Sequence, residues 1–238
     1  LSSAIVVYAG YRLLVRDGLA LRWVILGGVA TGTALSFKHN SVPAAVFFVF
    51  AIVAARAAQG KNDKPIGWMR RLRLPHLAAF ALVTAITILA WFPQLLTRTE
   101  DVWKSVTSQP QTGALNLGAQ AIPPVGTLLA VAWDTWNVSF HTPGGLSDTW
   151  PFYFFLLMTV ILLAAPVYAV VRGDRFVLGL SLFVGLMYLA FYYQWLFSGF
   201  RFTHYFLPAI VPIYLLVAFG LDRICETAAR RIGRAIPL

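Results

Sequence analysis

The feature that most limits how this chain can fold is a series of apolar stretches, each close to the length of a membrane-crossing helix. Six of them, at 19–37, 41–58, 75–96, 150–171, 176–197 and 202–221, are of the roughly 17 to 22 residues a helix needs to cover a bilayer core. Apolar residues make up 59% of the 238 positions and charged residues 12%, more grease than one soluble core of this size needs. The expectation is an all-α fold, a polytopic transmembrane helix bundle of six full spans. A seventh, truncated span precedes them: "LSSAIVVYAGYRLLV" (1–15) is apolar but short and has no initiator methionine, so it reads as a severed helix. No signal peptide is visible, and the chain reads as a piece of a longer protein. Cys225 is the only cysteine, which rules out an intrachain disulfide and a cysteine metal site.

Alternating the spans sorts the lysines and arginines very unequally. Arg12, Arg16, Arg22, Arg56, Lys61, Lys64, Arg70, Arg71, Arg73, Arg172, Arg175, Arg223, Arg230, Arg231 and Arg234 fall on one side, 15 of the 19. Only Lys38, Arg98, Lys104 and Arg201 fall on the other, although it holds the longest connection. The positive-inside rule makes the first side cytoplasmic, with the C-terminus there. The formal charge of +10 is therefore dispersed over cytoplasmic turns, which argues against nucleic acid as a partner and for membrane lipids. The alanine- and arginine-rich style suggests the inner membrane of a bacterium.

Three regions follow. Residues 1–96 hold the first helices with a cationic outer turn at 37–41, 97–149 form an extracytoplasmic loop, and 150–238 carry three spans and a basic tail. Within the loop, Val125, Leu128, Leu129, Ala132, Trp133, Trp136 and Phe140 recur at helical spacing. They describe an interfacial helix over 122–140, begun by Pro123 and Pro124, rather than a further span that would bury Asp134 in hydrocarbon. Asn137-Val-Ser139 fits the short glycosylation triplet.

Two outer turns carry candidate chemistry. In "SGFRFTHYFLPAIVP" (198–212), spacings of three and four residues place Arg201, His204 and Tyr205 on one helix face at the outer mouth of the last span. A guanidinium fork beside two further hydrogen-bonding groups suits a phosphate. An Arg201 that snorkels to headgroups and an interfacial His204 account for the same pattern without a ligand. In "LSFKHNSVP" (35–43), Asn40 or Ser41 can cap the next helix with Pro43 in its first turn, so free N–H groups lie beside Lys38 and His39. That is either an anion site or a capped hairpin with one exposed lysine. The outer acids Glu100, Asp101, Asp134 and Asp148 have no diagnostic spacing for a base or a metal; solvated interface charge explains them.

"GGVATGTALSFKHNSVPAAVFFVFAIVA" (27–54) and "GFRFTHYFLPAIVPIYLLVAFGLDRI" (199–224) resemble a helix hairpin and a late helix of the C-type polytopic glycosyltransferases, such as protein O-mannosyltransferases and lipid A aminoarabinose transferases. The resemblance implies a transferase that moves a sugar from a polyprenyl-phosphate donor to a hydroxyl on a glycan, lipid or protein acceptor, on the extracytoplasmic side. It implies that Lys38, His39, Arg201, His204 and Tyr205 face the donor phosphate. It fixes no cofactor and admits a divalent cation. The family's catalytic carboxylate sits in an earlier outer loop, so the base is expected upstream of this fragment. The alternative is a transporter or flippase for an anionic lipid or solute, although the span centres are apolar and no internal repeat is visible.

Overall fold

The computed structural model describes residues 1–37, 41–59, 75–98, 100, 149–198 and 208–235, and every regular element among them is helical. Seven α-helices follow in order: α1 (Ser2–Tyr11), α2 (Leu21–Phe37), α3 (Val42–Gln59), α4 (Pro75–Trp91), α5 (Thr149–Arg172), α6 (Arg175–Ser198) and α7 (Ile210–Ala235). The expected all-α class holds. Among the described residues no helix is long and apolar enough to cross a membrane. The expected interfacial helix over 122–140 lies outside the described residues.

Side-chain contacts fix the directions of the helices. The Thr84 hydroxyl of α4 donates to the Gly28 carbonyl of α2 (3.3 Å), and Trp91 Nε1 donates to Thr33 Oγ1 (3.3 Å), so α2 and α4 run parallel. They lie close because α2 presents glycine there. A Cβ on Gly28 would sit 2.9 Å from Val83 Cγ1, and one on Gly32 would sit 2.8 Å from the Thr84 carbonyl. Small residues that let two backbones approach are the common device of apolar helix pairs. On the other flank, Arg175 Nη1 donates to the Ala54 carbonyl (2.8 Å) and Phe47 stacks on Phe183 with centroids 5.8 Å apart, so α3 and α6 run antiparallel.

Short α1 sits at the hub, touching α2, α3, α6 and α7. Its buried Val6, Val7, Ala9 and Leu13 (the last in the following turn) join Phe47, Phe48, Phe183, Met187, Ile213 and Leu216 in one continuous core. Helices α5, α6 and α7 pack on one another beside it.

Three boundaries differ from the sequence expectation, each for a local reason. The span expected over 75–96 ends as α-helix at Trp91. Pro93 disfavours helical geometry at Phe92 (φ −131°, ψ 69°), and a 3₁₀ turn follows over Pro93–Leu96. The last helix, expected over 202–221, begins at Ile210 and runs past the end of the apolar stretch to Ala235. Beyond Leu221 it is supported on its surface, where Glu226 pairs with Arg223 (2.6 Å) and Arg230 (3.7 Å) at helical spacing. The segment 1–15 closes in a π-helical turn, Arg12–Arg16, where the Asp17 N–H donates to the Arg12 carbonyl at 2.7 Å.

The α5–α6 turn is read directly from "RGDR" (172–175). Gly173 takes φ +68°, its N–H donates to Val170 O (3.3 Å), and the Asp174 N–H donates to Ala169 O (2.9 Å). That pair of bonds is a Schellman closure, which needs the left-handed residue glycine supplies. Asp174 then caps α6: its Oδ1 accepts from the Phe176 and Val177 N–H groups, both at 3.1 Å. One residue ends one helix and starts the next, which locks the hairpin.

Candidate functional site

The helix directions gather the arginines. Tyr11 meets Phe176 edge-on (centroids 5.2 Å), Tyr8 meets Trp23 (5.7 Å), and Arg175 reaches Ala54 O, so the end of α1 and the starts of α2 and α6 meet the end of α3. Arg12, Arg16, Arg22, Arg56, Arg172 and Arg175 all lie toward this end, and Arg223 and Arg230 follow on the outgoing part of α7. Among the described residues, Arg98 alone lies toward the opposite end. The described arginines of the larger set thus share one physical end of the bundle.

At the basic end the sequence reading missed a hub. Asp17 Oδ2 accepts from Trp23 Nε1 (2.5 Å), Arg12 Nη2 (2.8 Å) and Arg22 Nη2 (3.1 Å). The Arg12 guanidinium also lies 4.5 Å from the Trp23 ring centroid, and its Nη1 donates to the Tyr8 hydroxyl (2.9 Å). Desolvation alone would raise the Asp17 carboxyl, but donation from Trp23, Arg12 and Arg22 outweighs it and holds the group below its usual range. A carboxylate so engaged is a staple between α1 and α2 and is poorly placed to act as a base. The available signal was a lone carboxylate set among Arg12, Arg16 and Arg22 beside Gly18, whose φ of 60° turns the chain back.

The five residues assigned to a donor phosphate, Lys38, His39, Arg201, His204 and Tyr205, lie outside the described residues, as do Asp101, Asp134, Asp148, Lys104 and Asn137. Their flanks are described. Phe37 ends α2, Ser41 is buried just before α3, and Pro208 and Ala209 lead into α7. Because α3 is antiparallel to α6, the start of α3 and the end of α6 lie away from the arginine-rich end. The chain therefore enters and leaves 38–40 and 199–207 at the same, arginine-poor end of the bundle. Trp91 and exposed Glu100 also belong to that end. Among the described residues no three His, Cys, Asp or Glu side chains come together to hold a metal. In the interior, Thr31 is fully buried on α2 and its hydroxyl has no hydrogen-bond partner.

No family model, no curated protein and no solved structure matches the chain.

Proposed function

We propose that the chain is a membrane-embedded part of a glycosyltransferase that moves a sugar from a polyprenyl-phosphate donor to an acceptor hydroxyl on the extracytoplasmic side. The observation that carries the reading is the polarity of the bundle. Among the described residues arginine collects at one end, while the helix ends that flank 38–40 and 199–207, the segments to which Lys38, His39, Arg201, His204 and Tyr205 belong, lie at the other.

The membrane setting is supported by what faces outward. Leu163, Val167, Val170 and Val171 on α5 and Leu82 and Ile86 on α4 are more than half exposed, with Val171 at 77%. No charged residue interrupts 150–171 or 176–198. Water would oppose this surface and hydrocarbon would not.

In the proposed reaction an acceptor oxygen bonds to the anomeric carbon as the bond from that carbon to the donor phosphate oxygen breaks. The acceptor proton passes to a carboxylate outside the residues assigned here. Negative charge grows on the departing phosphate, so Lys38 and Arg201 stabilise the transition state more than the bound donor. Fixed donors of this kind are worth about 10²- to 10³-fold in turnover each.

The test is sugar transfer by the intact protein carrying Arg201→Ala or Lys38→Ala, with a polyprenyl-phosphate sugar as donor. A loss of about a hundredfold or more is expected for each. Unchanged turnover and donor affinity in both variants removes these residues from the site. Movement of an anionic lipid between leaflets with no sugar transfer identifies a flippase instead.

A further inference from the structure

Helix α7 carries a second apolar face that the bundle does not use. Its core side is made by Ile213, Leu216 and Val217, all buried, and a Cβ on Gly220 would run into Ile161 of α5. Among the described residues of α7 none after Val217 is buried. Seven residues on from Leu216, Val217 and Gly220 stand Arg223, Ile224 and Thr227, and seven further on Arg230, Arg231 and Arg234, so the core stripe turns polar where the bundle ends. The apolar residues move to another side of the helix. Ala218, Leu221, Cys225 and Ala228 follow at spacings of three, four and three, all four are exposed, and Ile232 continues the spacing in the sequence. This seam lies about a third of a turn around from the core stripe and is about 21 Å long. Alternation of three and four is the spacing at which one helix packs along another.

The helix itself limits what can cover the seam. From Ile210 to Ala235 α7 is one unbroken α-helix with no proline after its first turn, so past the bundle it projects along its own axis instead of folding down onto a surface. Its last fourteen residues, 222–235, are of a length that is marginal for a lone helix in water. A cover has to run alongside it. Charge narrows the choice further. Arg223 is held on the side away from the seam, where it pairs with Glu226 (2.6 Å) and lies 5.1 Å from the Phe219 ring centroid, and Arg230 reaches the same carboxylate (3.7 Å). An acidic partner on the seam would find neither arginine facing it, whereas an identical seam would meet no like charge. Asp222 borders one flank of the seam and Arg231, by register, the other, so parallel copies set unlike flanks together and antiparallel copies set like ones together.

We propose that α7 pairs in parallel with α7 of a second copy of this chain about a two-fold axis, seam against seam, through Ala218, Leu221, Cys225, Ala228 and Ile232. The pairing requires no helix to cross a bilayer and is separate from the sugar-transfer reading.

In this pair the two Cys225 thiols face each other across the axis, within reach of a disulfide. The 238-residue chain has no other thiol. Mild oxidation with copper phenanthroline is expected to give a linked species of twice 26.3 kDa, and light scattering of the unoxidised chain is expected to give the same protein mass. With Cys225→Ser as background, Ala228→Cys is expected to link and Thr227→Cys, on the far side of the helix, is not. Maleimide reaches Cys225 only as the paired helices part, so it labels more slowly there than at Thr227→Cys. Ala228→Glu lies beyond the bundle and sets two carboxylates face to face in the seam; a monomer with unchanged tryptophan fluorescence is expected. A monomeric parent, a dimer that fails to link through Cys225 or links equally through Thr227→Cys, or a parent-like dimer in Ala228→Glu overturns the proposal. Protection of Cys225 only when phosphatidylglycerol vesicles are added identifies a lipid surface as the cover and overturns it as well.

Discussion

Replacing Gly32 with alanine tests whether close approach of α2 and α4 holds this part of the bundle together. The new Cβ would lie 2.7 Å from Thr87 Cβ and 2.8 Å from the Thr84 carbonyl, and the latter is backbone that cannot rotate away. Ordinary contact begins at 3.4 Å, so the helices must part by 3.4 − 2.7 = 0.7 Å at this level. The Thr84 to Gly28 hydrogen bond, now 3.3 Å, would stretch to about 4 Å and be lost. Overpacking costs about 1–3 kcal/mol, and an interhelical bond of this kind about 0.6 kcal/mol. Alanine returns about 1 kcal/mol of helix propensity. The net expectation is a loss of about 0.6–2.6 kcal/mol. Gly185→Ala supplies the control, because its Cβ meets nothing and only the propensity gain of up to about 1 kcal/mol remains. Unfolding of both variants in mixed micelles, followed by tryptophan fluorescence, measures the pair. If Gly32→Ala proves as stable as Gly185→Ala, the close approach does not hold α2 to α4 and the reasoning fails.

Phe47→Ala removes a fully buried ring that touches α1 and α6 and should destabilise the bundle by about 3–5 kcal/mol in the same assay. Asp17→Asn should loosen the α1–α2 junction, seen as faster amide exchange at Arg22 and Trp23 while the α5–α6 turn is unchanged. The folded-state pKa of Asp17 is depressed, so its stabilisation is fully present above the unfolded carboxyl value of about 4 and is lost as pH falls below it. Acid titration of the parent, but not of Asp17→Asn, should show this component. Cys225 is exposed toward the arginine-rich end; the proposed membrane topology therefore expects a membrane-impermeant maleimide to label it in inverted vesicles and not in intact cells.

The order of the described helices was legible in the sequence because apolar run length is a property of the chain alone. The α5–α6 turn was equally local, since Gly173 and Asp174 set a left-handed closure and a cap wherever they occur in that order. Helix ends were read less well where a second principle competed with hydropathy. Pro93 stopped α4 early, and surface ion pairs carried α7 beyond its apolar half.

Partnership could not be read from the chain. A glycine at 28 or 32 signals a close neighbour without saying that it is α4, and Asp17 gives no sign that it will accept from both flanking arginines and a tryptophan. Sequence determined which segments are helical and which turns are basic, because those depend on residues a few positions apart. Tertiary structure alone decided which helices pair, and through them that the described helix ends flanking 38–40 and 199–207 lie at one end. Each of those depends on shape matching between segments that are distant along the chain.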